Sequence, residues 1–228
     1  FRSPDTNPCM TIDAKNQLWL IWPTILDNNW QSALLKMRQS NNYLKAGAPK
    51  WGLESVIHLK PGPEFQSLVD RDFDKAWSPY LNIVPEALKG RLQDARAEIL
   101  KRSRTKLDQR LGWMPRVHPF WVNSTTMLLP LYSDGFNFSL MAFTEDGGQH
   151  WSVSEPVIGT SNVQPSIVRR KIGDLVAYFR DNGTPPKRIM QSESKDNGHT
   201  WSSVHDSDLV DPGAGVEAIV LKSGKWLI

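Results

Sequence analysis

The chain has 228 residues, 39% hydrophobic and 22% charged, with a net charge of +3. That balance excludes disorder and collagen-like repeats, and the length can bury a sizeable core. No apolar run is long enough to span a bilayer as a helix, and the single cysteine, Cys9, excludes a disulfide framework and a cysteine-built zinc site.

Ten tryptophans beside 15 glycines and 16 prolines favour short strands joined by many turns. The first predicted strand opens at Asn7-Pro8-Cys9-Met10-Thr11, and others follow over 18–22, 32–37 and 55–59, the last after a turn ending at Trp51. Residues 60–115 break this pattern. From Glu86 to Arg110 there are eight Lys/Arg against four acids, a surplus larger than that of the whole chain. Leu88, Leu92, Ala95, Ile99, Leu107 and Leu111 recur there at helical spacing between Pro85 and Gly112. The spacing predicts one amphipathic helix of about 25 residues. No nucleic-acid motif or interleaved aromatic accompanies the charge, so it reads as a solvated helix face, and no nucleic-acid partner is expected. Strands resume at His118-Pro119-Phe120-Trp121-Val122, then over 127–132 and 138–143, over 164–168, 175–180 and 188–192, and finally over 216–221 and 226–228.

Two segments match each other. Thr144-Glu145-Asp146-Gly147-Gly148-Gln149-His150-Trp151 and Ser194-Lys195-Asp196-Asn197-Gly198-His199-Thr200-Trp201 both read [ST]-x-D-x-G-x-x-W, and each joins two predicted strands. Asp and Gly make the turn, Asp caps backbone N–H groups, and Trp anchors the turn to the core. A worn copy ends at Trp51. Each unit thus supplies four antiparallel strands in about 45 to 50 residues, the blade of a β-propeller. Residues 60–115 form a helical insertion between the first and second blades. The chain starts without a methionine and stops inside a predicted strand. Three blades and the start of a fourth leave a ring open, so the expectation is a fragment of a larger propeller.

The two boxes resemble the Asp-boxes, or bacterial neuraminidase repeats, of the sialidase superfamily. The stretches Pro4-Asp5-Thr6-Asn7-Pro8, Leu129-Pro130-Leu131-Tyr132-Ser133-Asp134-Gly135, Gln164-Pro165-Ser166, Arg180-Asp181-Asn182-Gly183 and Gly215-Val216-Glu217-Ala218 carry the same resemblance. It implies an all-β, six-bladed sialidase-like propeller, a secreted or periplasmic location, and hydrolysis of a terminal acidic sugar (sialic acid or an analogue) from glycans, without a cofactor. Another glycoside hydrolase, a polysaccharide lyase or a carbohydrate-binding propeller on the same fold are the alternatives, since Asp-boxes are structural.

Propeller geometry puts the Asp-boxes on one face. The starts of the innermost strands and the ends of the second strands lie on the other, around the axis. Asp5, Asn7, Arg116, His118, Tyr132, Asp134, Gln164, Arg180, Asp181 and Glu217 fall there. Arg180 ends a segment resembling that of a family arginine that grips the substrate carboxylate with its guanidinium fork. Asp5 or Asp181 is the expected proton donor to the leaving oxygen, and His118 the expected substrate contact or proton carrier. Arg116, Asn7, Tyr132, Asp134, Gln164 and Glu217 are the expected substrate contacts. Thr6 and Asn7 stand where the family has its first triad arginine, with Arg2 as a displaced stand-in. Gln164 stands near the position of the family's glutamate, and a glutamine is no general base. His58, His118, His150, His199 and His205 show no metal-ligand spacing, so no metal is expected.

Overall fold

The computed structural model describes residues 3–228. Its first sheet contains β1 (Cys9–Ile12), β2 (Leu18–Ile25), β3 (Ala33–Ser40) and β4 (Glu54–Val56), antiparallel and in chain order. Alternation sorts its faces. Trp19, Ile21, Leu35 and Met37 are buried on one side, while the cross-strand pairs Leu20–Arg38 and Trp22–Lys36 share the other.

The second sheet contains β5 (Phe120–Trp121), β6 (Met127–Ser133), β7 (Phe138–Thr144) and β8 (Ser152–Val153). Every residue of β6 and β7 is buried, because this sheet has a neighbour on each face. Met127, Leu129, Leu131, Leu140 and Ala142 pack with Trp19, Ile21, Leu35 and Met37 of the first sheet. Leu128, Met141 and Phe143 pack with Ile167, Leu175, Ala177 and Phe179 of the third. Successive residues of β6 thus enter different cores, which explains why its sequence is continuously apolar.

The third sheet contains β9 (Asn162–Arg169), β10 (Leu175–Asp181), β11 (Arg188–Ser194) and β12 (His205–Val210). Its Val168, Val176, Tyr178 and Ile189 cover Val216 and Ala218, which lead into a two-stranded ribbon of β13 (Ile219–Val220) and β14 (Trp226–Leu227). The structure is therefore mostly β, four antiparallel sheets packed face to face in chain order.

The boxes are the tight turns between β7 and β8 and between β11 and β12. In the first, Thr144 Oγ1 and the backbone N–H groups of Gln149 and His150 all donate to Asp146 Oδ1, and Gly148 N donates to Thr144 Oγ1 at 2.9 Å. The second repeats this with Ser194, Asp196 and Thr200, and Gly198 N donates to Ser194 Oγ at 2.8 Å. Each tryptophan folds back, Trp151 Nε1 onto Gly148 O at 3.1 Å and Trp201 Nε1 onto Gly198 O at 2.9 Å. The worn first copy keeps the logic with an asparagine: Ser40 Oγ and Lys50 N donate to Asn42 Oδ1.

The region between β4 and β5 holds two helices, α1 (Phe65–Leu81) and α2 (Glu86–Ser103), where one was expected. Phe65, Val69 and Phe73 of α1 are buried in the first core with Trp113, Phe136 and Phe138. The helix expected over 86–110 ends early. Ser103 Oγ donates back to Leu100 O, Gln109 Nε2 donates to the Ser103 carbonyl at 2.6 Å, and Leu107 finds no partner surface and stays exposed. Among the described residues no helix is long and apolar enough to cross a membrane.

Candidate functional site

The segments that begin the four sheets converge. Asn7 precedes β1, Arg116 and His118 precede β5, Gln164 and Ser166 lie in β9, and Glu217 precedes β13. Tyr132 and Arg180 sit near the ends of β6 and β10, and Asp134 just follows β6.

Tyr132 is the hub of one group. Asn7 Nδ2 donates to its hydroxyl at 3.1 Å, Arg116 Nη1 donates to Asn7 Oδ1 at 3.2 Å, and Gln164 sits against the same hydroxyl. Burial raises the Tyr132 pKa against the hydrogen bonds of Gln164 and Asn7, so the phenol stays protonated at neutral pH. Asn7 and Gln164 both have left-handed backbones, with φ of 42° and 56°. Such conformations cost about 1–3 kcal/mol each in non-glycine residues and persist where the surroundings fix them. Gly215 comes close to this group: a Cβ there would lie 2.8 Å from Gln164 Oε1 and 3.0 Å from Arg116 Cγ, so a larger residue would crowd both side chains.

His118 and Glu217 form a second group. His118 Nδ1 lies 2.8 Å from Glu217 Oε1, which also accepts from Ser166 Oγ at 3.2 Å. Ala218 N donates to Ser166 Oγ at 2.9 Å and fixes that hydroxyl. The hydrogen bond that the His118 ring gives to Glu217 raises the His118 pKa, burial opposing it. Cys9 is buried close enough to feel the Glu217 charge, and burial first, then that charge, pushes its thiol up to about 12.

Asp134 and Arg180 are the third group. Asp134 lies at an exposed position, where partial desolvation raises its pKa while the Arg180 charge opposes the rise. Among the described residues no carboxylate oxygen lies within 4.0 Å of the Arg180 or Arg116 guanidinium. Two buried polar atoms of the site, Gln164 Oε1 and Arg180 Nε, have no hydrogen-bond partner. Buried groups of this kind are costly unless something satisfies them. Two guanidiniums without a carboxylate partner and an unsatisfied acceptor suit a ligand that carries both an anionic group and hydroxyls.

Two expected site carboxylates are engaged elsewhere. Asp5 accepts from Thr24 Oγ1 and from Trp22 Nε1 at 3.1 Å and pairs with Lys36 at 3.5 Å, so all its partners lie on the first sheet. The Thr24 bond, chiefly, lowers its pKa. It borders a cavity of about 310 Å³ with Trp22, Lys36 and Arg38, on the face turned away from the second sheet. Asp181 follows Arg180 in the strand and points the other way. Its Oδ1 accepts from Ser161 Oγ at 3.0 Å and Gly183 N at 2.7 Å, and it is buried. Arg2 lies outside the described residues. Ser166, Cys9 and Gly215 join the groups although none was expected as a site residue. Ser166 and Gly215 stand in stretches that carry the family resemblance, which was the available signal; nothing in the sequence marks Cys9.

These convergent strand starts on face-to-face sheets with Asp-box turns define a sialidase-like BNR fold. The sequence profile described as "BNR repeat-like domain" matches residues 108–228, more than half of the chain, and the chain belongs to that family. Among solved structures it is similar to a protein of unknown function from Dyadobacter fermentans, with a TM-score of 0.62 and 13% identity, over 97% of this chain and 55% of that one. It is similar to the Hadza microbial sialidase Hz136, with a TM-score of 0.59 and 12% identity, over 99% of this chain and 39% of that one. For the NanB sialidase of Streptococcus pneumoniae the TM-score is 0.57 and the identity 10%, over 95% of this chain and 42% of that one. Identities this low show the fold alone, and the chain spans about half the length of these proteins, or less. A search among curated proteins finds no match.

Proposed function

We propose that the protein is an exo-glycosidase of the sialidase type, removing a terminal acidic sugar, sialic acid or an analogue, from glycans. The observation that carries this reading is the pair of arginines, Arg116 and Arg180, without a carboxylate partner, beside the unsatisfied Gln164 Oε1. In it the sheets are the first three blades and the opening of the fourth in a six-bladed propeller, and residues 60–115 are an insertion between two blades. Arg180 and Arg116 hold the sugar carboxylate, and Asn7, Tyr132 and Gln164 hold its hydroxyls. The sialidase neighbours support the class of chemistry.

One observation favours a second reading. Asn7 and Gln164, which stand where the family has an arginine and near its glutamate, are both tied to Tyr132. A site so altered suits another glycoside hydrolase, a lyase or a binding propeller. The test is turnover of a panel of 4-nitrophenyl glycosides. Release from acidic sugars, with neutral ones inert, is the expected result. Release from neutral sugars alone overturns the carboxylate-binding reading, and binding without turnover of any member overturns the enzymatic one.

A further inference from the structure

We infer that His118 is the group that transfers the proton at this site, with Glu217 and Ser166 as its positioning residues. The inference rests on the glycosidase reading above. It starts from a difficulty in that reading. Hydrolysis of a glycoside needs a proton for the leaving oxygen, and the two aspartates expected to supply it are engaged elsewhere. Asp5 is held by Thr24, Trp22 and Lys36, and Asp181 by Ser161 and Gly183.

His118 has the geometry the step requires. One ring nitrogen, Nδ1, is held by Glu217 Oε1 at 2.8 Å. The carboxylate is itself held by Ser166 Oγ, and Ser166 by Ala218 N, so the ring orientation is fixed by groups from the third and fourth sheets. The other nitrogen, Nε2, has no partner among the described residues. A histidine held at Nδ1 by a carboxylate presents Nε2 as an acid and base of fixed direction. His118 is only partly exposed and lies two positions from Arg116, hence beside the proposed carboxylate clamp.

The charged and titratable groups around the imidazole are few. Glu217 approaches from the segment before β13, the neutral Cys9 thiol lies on β1 near that carboxylate, and Arg116 is on the same segment as His118. Glu217 is the one in contact, and it favours the imidazolium. The protonated ring is therefore the resting form below the raised pKa, as an acid requires. In the step, the glycosidic C–O bond breaks with its electron pair on the leaving oxygen, which takes the proton from Nε2. Water then adds to the sugar carbon and gives its proton to the neutral Nε2, restoring the imidazolium. Glycoside and water become free sugar and alcohol, and no other reactant is needed.

The experiment compares kcat/KM of the wild type, His118→Gln and Glu217→Gln on two acidic-sugar glycosides, one with 4-nitrophenol and one with methanol as leaving group. Nitrophenol leaves without a proton and methanol does not, so His118→Gln should lose roughly 100-fold or more on the methyl glycoside, the usual worth of a general acid, and far less on the nitrophenyl one. Glu217→Gln keeps the hydrogen-bond acceptor but removes the charge, so the alkaline limb of its pH profile should move to lower pH. In parallel, the His118 ring should titrate above about 6.5, the ordinary histidine value, in an NMR experiment on the wild type. Equal losses on both substrates, an unmoved alkaline limb, or a His118 titration at or below the ordinary value would each overturn the assignment while leaving the glycosidase reading standing. No turnover of either substrate by the wild type would overturn that reading and this assignment with it.

Discussion

Adding one methyl group at Gly198 tests whether the Asp-boxes are wedges that lock each sheet onto the one before it. Gly198 has φ of +97°, and a Cβ there would lie 2.5 Å from Leu128 Cδ1 and 3.5 Å from Phe143 Cζ. Leu128 is fully buried in the core between the second and third sheets, so it cannot swing aside into water. Gly198→Ala therefore combines two costs. The left-handed backbone costs an L-residue about 1–2 kcal/mol, and overpacking a filled core costs about 1–3 kcal/mol more. The expected loss is thus about 2–5 kcal/mol. Gly173 isolates the first cost, since its φ is +106° and nothing lies within 4 Å of its ideal Cβ. Gly173→Ala should lose only the backbone share, about 1–2 kcal/mol. Urea unfolding of both variants, read by tryptophan fluorescence, gives the two values. Equal destabilisation would refute the wedge, because it would mean that contact with Leu128 contributes nothing.

Further outcomes are expected from the same structure. The backbone N–H of His150, first among several donors, holds the Asp146 pKa down to about 2. A folded pKa below the unfolded one contributes stability above the unfolded value of about 3.9, and that share is lost as pH falls through the folded value. Unfolding free energies from pH 6 to pH 2 should then show the gap between wild type and Asp146→Asn closing below about pH 4; a gap that stays constant rejects the account. The Cys9 thiol, buried and pushed up to about 12, should resist a thiol reagent at pH 8 until denaturant is added. Fast labelling of the native protein would show that the strand start is open. Trp201→Ala should lower stability by about 3 kcal/mol, the lower end for truncating an aromatic because Trp201 is only partly buried. Kinetics per folded molecule should not change, and lost turnover at unaltered stability would place the box in the site.

The fold was legible wherever turn chemistry and alternation coincided. Thr144 to Trp151 and Ser194 to Trp201 fix their turns through their own side chains, so the local sequence suffices to read them. The strands of the first three sheets lie close to where period and proline starts put them. The helix α1 escaped because attention to charge singled out 86–110, whereas Phe65, Val69, Phe73 and Trp77 mark α1 through apolar spacing alone. The end of α2 depends on Gln109 turning back to Ser103, a tertiary choice with no periodic signal. Strand-end reasoning placed Asn7, Arg116, Tyr132, Gln164, Arg180, Asp134, His118 and Glu217 at strand starts and ends, where hydrogen bonds and charge link them in small groups. It did not separate Asp5 and Asp181 from them. Their partners, Thr24 and Ser161, are brought close only by the pairing of strands. Left-handed backbones at Asn7 and Gln164 were equally invisible, since neither residue type demands one.

The central claim is that Arg116 and Arg180 wait for a carboxylate. Calorimetric titration of the protein with sialic acid and with its carboxamide, in the wild type and in Arg180→Lys, tests it most directly. Lysine keeps the charge but lacks the planar fork. The wild type should bind the acid about tenfold or more tightly than the amide, a difference of about 1.4 kcal/mol or more, and Arg180→Lys should lose most of that preference at an unchanged melting temperature. Equal affinity of the wild type for acid and amide would contradict the claim. So would an Arg180→Lys variant that melts far lower yet keeps the preference, since the arginine would then be a structural partner of Asp134.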